Sequence, residues 1–259
     1  MYFNPYLQSM KFFLNKKDYI DTNEPLDISL PLSASENNPR AWYVDQPRFE
    51  PVRTEYYTGS VQEGGSVNFR NIFFNPHGHG THTECLGHIT EEVYSVNDIL
   101  KEYFYTATLI SIMPKVKVRE NGEVDHVVEM DQLELTKNCG DALIIRTLPN
   151  TLKKRSENYS SKNPAYFDVR CVEKILDAGV SHLLVDLPSV DRENDDGILA
   201  FHHAFWEVPS NPNFKRTITE LIFVDNAIED GNYLVNFQVA PFENDAAPSR
   251  PVLYRIKSQ

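Results

Sequence analysis

The sequence has few cysteines, no excess of positive charge and no long apolar run. Its three cysteines, Cys85, Cys139 and Cys171, are widely spaced and form no CxxC pair, which argues against a disulfide scaffold and for a reducing compartment. The net charge of −12 repels phosphate backbones, so nucleic acid is not an expected partner. No stretch approaches the ~18 apolar residues of a membrane span, and the N-terminus has no secretory h-region. We therefore expect a cytoplasmic protein with no membrane partner.

The sequence does contain enough apolar residues for one packed domain. Hydrophobic residues make up 41% of its 259 residues, which is too high a share for a disordered chain. Prolines and glycines punctuate the whole length, and no low-complexity linker divides it. We expect a peripheral arm over residues 1–24 and a single domain over residues 25–259.

Hydrophobic periodicity predicts an α/β protein with a mixed sheet and a helix layer. Residues 141–147 are typical of a strand, and the segment SHLLVDLPSVD that begins at residue 181 predicts the next strand, which ends at Asp186. Residues 163–179, between them, predict a helix with Pro164 in its first turn and Gly179 as its stop. A β-α-β unit of this kind implies parallel strands. Further elements are predicted along the chain: helices over 95–104 and 198–208, and strands over 25–32, 66–75, 106–113, 219–225 and 233–242.

Two residues are candidates for a substrate pocket. Trp42 belongs to the polar segment 33–64, which predicts a long loop around a strand at 52–58, and long loops in compact domains often act as lids. Asp186 comes at the end of a predicted parallel strand, where α/β proteins often place functional groups. A packing role for Trp42 and a turn role for Asp186 are the alternatives.

The stretch NPHGHGTHTECLGHIT, residues 75–90, holds four of the chain's eight histidines. Alternate side chains of a strand share a face, so His82 and Glu84 would point the same way, with Cα atoms about 7 Å apart. That spacing suits two ligands of one metal ion, and His88 would lie further along the same face. A surface turn with a chance cluster of histidines is the alternative reading. The four histidines are His77, His79, His82 and His88.

Gly78 and Gly80 separate these histidines and can take backbone angles that other residues resist. A bulge or tight turn there would bring His77 or His79 to the same site. Imidazole nitrogens with a carboxylate suit zinc, manganese or iron(II), and a bound divalent ion makes hydroxide available near neutral pH. His88 would then be placed to move protons.

The segment GTHTECLGH, residues 80–88, resembles the signature H-x-G-T-H-x-D-x-P-x-H of the kynurenine formamidase-like cyclase family, which comprises metal-dependent amide and lactam hydrolases. Gly80, Thr81, His82 and His88 match this signature. Other segments similar to the family occur in the same order over roughly residues 25–257: PLDISLPL, GDALIIRT, GVSHLLVDLPSVD, FHHAFW and TELIFVDN.

The resemblance implies a fold, an activity and an assembly. The fold would be a swivelling β/β/α domain, a barrel-like mixed β core with helices packed outside. The activity would be hydrolysis of a small-molecule amide C–N bond, arylformamidase-like, by metal-activated water, with zinc the first expected metal and manganese the second. Members usually form homo-oligomers, so a homodimer or homotetramer is expected, with the N-terminal arm in its interface. The apolar arm residues are Tyr2, Phe3, Tyr6, Phe12 and Phe13.

The resemblance also implies roles for individual residues. His88 would be the catalytic proton-transfer residue. The family's first histidine falls here on Gly78, so His79 stays an alternative to His77, and His203 is the register alternative to His202. The implied metal ligands are His77, His82, Glu84, His202 and Glu220.

Three positions depart from the family signature. Gly78 replaces the first histidine, Glu84 replaces the aspartate and lengthens the arm by one methylene, and Leu86 replaces the proline. These departures are also compatible with a second hypothesis. In that hypothesis, the chain is a metal-free, non-catalytic member of the same fold that binds a small molecule.

Overall fold

The computed structural model describes residues 10–137 and 139–259. Short strands lie before and within the long polar segment: β1 (Lys11–Phe13), β2 (Asp18–Asp21), β3 (Leu26–Asp27), β4 (Arg48–Pro51), β5 (Arg53–Thr54), β6 (Tyr57–Thr58) and β7 (Arg70–Phe73). The central strands follow: β8 (His82–Glu84), β9 (Phe104–Ile112), β10 (Lys115–Val118), β11 (Val124–Val128), β12 (Ala142–Thr147), β13 (Tyr166–Phe167) and β14 (His182–Val185). The last strands are β15 (Thr217–Glu220), β16 (Gly231–Val239), β17 (Ala246–Arg255) and β18 (Lys257–Ser258). The α-helices are short: α1 (Val96–Ile99), α2 (Cys171–Asp177) and α3 (Ala200–Trp206).

Seven strands close into a barrel-like ring, which confirms the predicted mixed β core. The hydrogen-bonded order is β16-β9-β12-β14-β15-β8-β17, and β17 pairs back with β16. Strands β9, β12, β14 and β15 run parallel, as the β-α-β pattern predicts, while β8, β16 and β17 pair in antiparallel fashion. Strand β3 adds to β17 outside the ring. Closure leaves the ring without an unpaired sheet edge.

Successive side chains along the strands of the ring pack into two separate apolar clusters. Leu143 and Ile145 of β12 join the buried residues of α2 and α3, whereas Ile144 joins a second cluster with residues of β9, β16 and β17. The two-residue period of a strand separates these sets onto opposite faces. The helices therefore cover one face of the ring, and Ile218 of β15 packs against the same cluster as the buried residues of α3.

Several predicted elements are shorter in the structure, because tertiary pairing overrides the local pattern. The helix predicted over 163–179 begins at Cys171, since Tyr166 and Phe167 pair with β11. Gly179 ends that helix region with φ of +84°, as predicted. The strand predicted over 219–225 ends at Glu220, because Leu221 has φ of +52°.

Other boundaries were also too long in the prediction. The helix expected over 95–104 is the single turn α1, since residue 104 already begins β9. The strand expected over 52–58 is the hairpin of β5 and β6. The strands expected over 25–32 and 66–75 shrink to β3 and β7, and β7 pairs with β4 rather than with the barrel.

The described part of the N-terminal arm is a hairpin against the C-terminus. Strand β2 pairs with both β1 and β18, and Phe12 and Phe13 of β1 are 60% and 48% exposed. Tyr2, Phe3 and Tyr6 lie outside the described residues, and a role of the arm in an oligomer interface stays a prediction. Within residues 10–137 and 139–259, no helix combines the length and apolarity needed to cross a bilayer.

Candidate metal centre

The site is built on two adjacent antiparallel strands of the ring. In the register of β8 and β15, His82 lies opposite Glu220 and Glu84 lies opposite Ile218. Directly opposed residues share a face, so all four side chains point toward the helix layer. His82 and Glu84 therefore face the same way, as strand periodicity predicts. The strand ends at Glu84, however, and His88 follows in a 3-10 turn over Leu86–His88 rather than on an extended strand.

A turn before β8 brings His77 to the same place. The peptide at Gly78 packs tightly, because a Cβ there would lie 2.7 Å from Cγ2 of Val44. Gly80 has φ of +156°, in the region that favours glycine. The chain therefore reverses within a few residues, and the imidazole of His77 lies beside Glu84. This is the mechanical role that the sequence predicts for the two glycines.

Glu84 is the centre of the cluster. Its Oε2 lies 3.0 Å from Nδ1 of His77 and 4.0 Å from Nε2 of His82, and its Oε1 lies 3.2 Å from Nε2 of His202. Helix α3 supplies His202 from the layer above the sheet. Residues from two separate parts of the sequence, the segment 77–82 and helix α3, thus surround one fully buried carboxylate.

Glu220 completes the set from the neighbouring strand. Its Oε2 lies 3.5 Å from Nε2 of His82, and its Oε1 lies 3.9 Å from Nε2 of His202. The structure therefore brings together the five residues that the resemblance implies as ligands. Three imidazole nitrogens and two carboxylates face one another. Their role as metal ligands stays a prediction.

Hydrogen bonds to Nδ1, on the side away from Glu84 and Glu220, fix the ring orientation of two histidines. Nδ1 of His82 donates to the carbonyl of Gly80 at 2.9 Å, which leaves Nε2 directed at the carboxylates. Nδ1 of His202 donates to Asp191 at 2.6 Å, and the same carboxylate accepts the backbone N–H groups of Phe201 and His202. A carboxylate or carbonyl behind a histidine selects its tautomer and presents the other nitrogen as a ligand.

His88 lies at the open side of the cluster. Its Nε2 is 4.0 Å from Oε2 of Glu84 and its Nδ1 is 3.3 Å from Oδ2 of Asp245. Its side chain is 32% exposed, whereas those of His82 and Glu84 are completely buried. The cluster is therefore most open to solvent at His88.

The titration of the site follows from burial and from its carboxylates. Burial alone would lower the pKa of His77, but Asp245 and Glu84 raise it to about 10. Burial alone would also lower the pKa of His202, but Asp191 and Glu84 raise it to about 10. Burial disfavours a charged Glu84, yet the surrounding histidines hold the pKa of its carboxyl well below the ordinary value. Protonated imidazoles thus balance this buried charge.

The unpaired polar atoms of the cluster match the donor set of a divalent ion. Among the described residues, Nε2 of His82, Oε2 of Glu84 and Oε1 of Glu220 are buried and have no aligned hydrogen-bond partner. Burying a polar atom without a partner costs about 1–3 kcal/mol. Ligand atoms of His77, His82 and Glu84 lie within 4.8 Å of one another, as do those of Glu84, His88 and His202. Nitrogen and oxygen donors in this number fit zinc or manganese.

Comparison with known proteins places the chain in a family. The family described as "Putative cyclase" matches residues 26–192, well over half of the sequence. The chain belongs to this cyclase family. The matched part contains the whole segment from His77 to His88, while His202 and Glu220 lie beyond it.

Two curated relatives of the cyclase-family chain are kynurenine formamidases. That of Bacillus cereus is 27% identical over 237 residues, covering 91% of this chain and 99% of the relative. That of Bacillus cytotoxicus is 27% identical over 236 residues, covering 89% and 97% respectively. The similarity therefore extends over nearly the full length of both proteins.

Solved structures share the cyclase fold. A potential metal-dependent hydrolase with cyclase activity superposes with a TM-score of 0.62 at 15% identity, covering 89% of this chain and 97% of the other. An isatin hydrolase bound to the product analogue thioisatinate gives 0.58 at 10% identity, with 90% and 93% covered. Isatin hydrolase A from Ralstonia solanacearum gives 0.60 at 13% identity, with 89% and 91% covered.

The alternative histidines have other partners. Nδ1 of His79 accepts the backbone N–H of Asn75 at 2.7 Å, and its Nε2 donates to the carbonyl of Asp45. Nδ1 of His203 lies 3.1 Å from the carbonyl oxygen of Val208. Both rings therefore stabilise local turns, which favours His77 and His202 as the residues directed at the centre.

The two pocket candidates take part in packing and in a strand connection. Trp42 packs against a small apolar cluster of Ala41, Tyr159 and Leu221. Asp186 accepts hydrogen bonds from the backbone and hydroxyl of Thr147 and from Nζ of Lys154, which lies 2.8 Å away. Their role in substrate binding stays a prediction.

Cys85, which follows Glu84, is a buried thiol whose Sγ donates to the carbonyl of Tyr94 at 3.2 Å. Burial raises the pKa of Cys85 to about 12. All three cysteines are free and buried, in line with the expected absence of disulfides. A thiol with this pKa is a poor metal ligand and serves as a small core residue.

Sequence reasoning did not single out Asp245. Its Oδ2 lies 2.7 Å from Nε2 of His77, so it touches the cluster directly. It follows an irregular segment that has no periodic pattern. Asp191 is the last residue of the segment GVSHLLVDLPSVD, and its contact with His202 was not predicted.

Proposed function

We propose that the chain is a metal-dependent hydrolase that cleaves the C–N bond of a small-molecule amide, with an arylformamide as the first substrate class. The observation that carries this proposal is the convergence of three imidazoles and two carboxylates with unpaired buried atoms at their centre. The kynurenine formamidases among its relatives and the isatin hydrolases among its structural neighbours support the same class of bond. Both named activities open an amide C–N bond.

The residues that would hold the ion are His77, His82, His202, Glu84 and Glu220. Zinc is the first candidate and manganese the second, because both accept this mixed set of nitrogen and oxygen donors. When bound, such an ion polarises a carbonyl oxygen and lowers the pKa of water.

The chain's own residues supply orientation and proton transfer. Amide hydrolysis needs a proton delivered to the departing nitrogen. His88 is the group placed for this, because its Nε2 faces the cluster while its side chain is partly open to solvent. Asp191 and the carbonyl of Gly80 hold His202 and His82 so that their Nε2 atoms face inward.

The test is a joint measurement of metal content and hydrolysis. Tag-free protein is analysed by elemental mass spectrometry, then assayed with N-formylkynurenine and isatin after loading with zinc or manganese. We expect stoichiometric metal and turnover of at least one substrate, both lost in His82→Ala. His203→Gln is the matched control, since His203 neighbours His202 but bonds to Val208.

A folded chain that takes up neither metal would overturn the proposal. The metal-free reading, a non-catalytic small-molecule-binding member of the same fold, would then replace it. In that state, protonated His77 and His202 would remain as the counter-charges of Glu84.

We also propose a homodimer or homotetramer and a cytoplasmic location. Exposed Phe12 and Phe13 on the N-terminal hairpin support an oligomer contact, because apolar side chains of this size gain from burial. Light scattering on the full chain and on a chain lacking residues 1–13 tests this. An unchanged mass after deletion would remove the arm from the interface.

A further inference from the structure

We propose that Asp245 is a positioning residue that fixes the ring orientation and tautomer of both His77 and His88. It thereby couples a metal ligand to the proton-transfer residue through one carboxylate oxygen. The roles of the two histidines rest on the proposed function, whereas the geometry around Asp245 does not.

One oxygen atom contacts both rings. Oδ2 of Asp245 lies 2.7 Å from Nε2 of His77 and 3.3 Å from Nδ1 of His88. The two imidazoles stack with centroids 4.2 Å apart and planes 27° from parallel, so both rings present an edge to the same atom. The side chain of Asp245 is 14% exposed, which limits competition from water.

The backbone around Asp245 is fixed to the strand that carries the site. The carbonyl of Asp245 accepts the N–H of Cys85 at 3.0 Å, and the next residue, Ala246, pairs with Glu84 in the register of β17 and β8. The carbonyl of Asn244 accepts the N–H of Val96 at the start of α1. These bonds fix where the carboxylate sits relative to Glu84.

A carboxylate accepts hydrogen bonds, so the ring nitrogen that faces it carries the proton. This assigns N–H to Nε2 of His77 and to Nδ1 of His88. In the metal-loaded protein the opposite nitrogens would lose their protons and would present lone pairs to the centre beside Glu84, whose Oε2 lies 3.0 Å from Nδ1 of His77 and 4.0 Å from Nε2 of His88. His77 therefore faces the centre through Nδ1, whereas His82 and His202 face it through Nε2.

The arrangement also accounts for the altered signature. The first histidine is displaced by one residue, to position 77, and its ring reaches Glu84 with the nitrogen nearer to the backbone. Asp245 occupies the far nitrogen and prevents the ring from turning over. A carboxylate behind a ligand histidine typically contributes 10–100-fold to metal affinity or activity.

The test is nitrogen NMR of ¹⁵N-histidine-labelled protein loaded with zinc at pH 8, or of the protein as purified if zinc does not bind. Signals of His77 and His88 are assigned with His77→Gln and His88→Gln. We expect His88 to carry its proton on Nδ1 in the wild type and to shift toward the Nε2–H tautomer in Asp245→Asn. The exposed neighbour Glu243, which bonds to Asn97, supplies the control Glu243→Gln.

Kinetics provide the second readout. At saturating metal we expect Asp245→Asn to lower kcat roughly 10–100-fold with little change in KM, and Asp245→Glu to recover part of the loss. An Nε2–H tautomer of His88 in the wild type would overturn the inference. An unchanged tautomer in Asp245→Asn would also overturn it. If that variant also loses one equivalent of zinc, Asp245 is itself a metal ligand rather than a positioning residue.

The proposed function and the role of Asp245 are contradicted by different outcomes. A tautomer shift in a protein without hydrolase activity would contradict the proposed function and support the role of Asp245. Hydrolysis by the wild type, with kcat and tautomers unaffected in Asp245→Asn, would sink the role of Asp245 alone. Should Asp245→Asn not fold, the wild-type tautomer still decides the assignment.

Discussion

Asp186 and Glu84 are buried carboxylates at the ends of two strands of the same barrel, yet their surroundings differ. Asp186 accepts from the backbone N–H and the hydroxyl of Thr147 and from the ammonium of Lys154, which lies 2.8 Å away. Glu84 is surrounded by histidines, and within the described ranges its Oε2 has no aligned donor. The carboxylate of Asp186 faces the ammonium of Lys154, whereas that of Glu84 faces imidazoles.

This difference separates a structural carboxylate from a candidate ligand. A lysine beside an acid completes the charge balance and leaves no place for another cation. Imidazoles beside an acid can give up their protons and become ligands when a metal binds. Asp186 is therefore a structural carboxylate, and the acids left with unpaired atoms mark the candidate centre.

The largest effect should come from Glu84→Gln, which keeps the shape of the side chain and removes its charge. We expect most of the bound metal to be lost and arylformamide hydrolysis to fall roughly 10³-fold, since a bound metal supplies several kcal/mol of transition-state stabilisation. Elemental analysis and steady-state kinetics measure both. Near-normal activity in this variant would remove Glu84 from the centre.

Asp191→Asn should have the next largest effect. The amide oxygen still accepts a backbone N–H at the N-terminus of α3, but the neutral side chain no longer balances the positive charge of the His202 imidazole. We expect metal affinity or kcat to fall about 10–100-fold, with the circular dichroism unchanged. A metal titration by calorimetry checks this. An equal loss in His203→Gln would show that the helix, rather than the ligand contact, is sensitive.

Asp186→Asn should reverse the pattern and reduce stability instead of metal binding. Removing one partner leaves Lys154 without its counter-charge, at a cost of about 3 kcal/mol in the free energy of unfolding. Urea titration measures the loss. The double variant with Lys154→Met should lose less than the sum of the two single variants, because the pair is coupled. Loss of metal from folded Asp186→Asn would contradict the comparison.

The effect that is smallest at neutral pH concerns His182, a buried histidine for which Asp141 only partly offsets the effect of burial. Its ring packs against Tyr105, its Nδ1 lies 2.8 Å from Oγ1 of Thr217, and burial lowers its pKa to about 4. The imidazole of His182 binds a proton near pH 6.5 in the unfolded chain but not in the folded chain, so the free energy of unfolding keeps its full value above pH 6.5. That free energy falls by up to roughly 3 kcal/mol as the pH drops to 4. Denaturant titrations over this range should show a flatter profile in His182→Gln.

The sequence predicts the parts of the site that depend on local periodicity or on a motif. His82 and Glu84 share a face because a strand alternates, and the resemblance supplied His202 and Glu220. Local pattern could not predict closure of the ring, which only the family resemblance implied, since closure depends on pairing between β16 and β17 and on their contacts with distant strands. Local pattern also could not predict that Tyr166 and Phe167 would leave the helix, because their partner strand β11 lies about 40 residues earlier.

Asp245 was unpredictable for the same physical reason. Its position is set by the pairing of Ala246 with Glu84, a contact between the two ends of the domain. Similarly, nothing local distinguishes His77 from His79. The choice depends on a turn packed against Val44 and on a carboxylate that arrives late in the chain.

The order of the strands around the ring also decides when the site can form. Both partners of β8 come from the C-terminal part of the chain, β15 beginning at Thr217 and β17 at Ala246. During synthesis, His82 and Glu84 therefore stay in water until nearly the whole chain has emerged. Pairings this distant in sequence form slowly. A chain shortened before β17 would leave β8, which carries both His82 and Glu84, without one of its two partner strands.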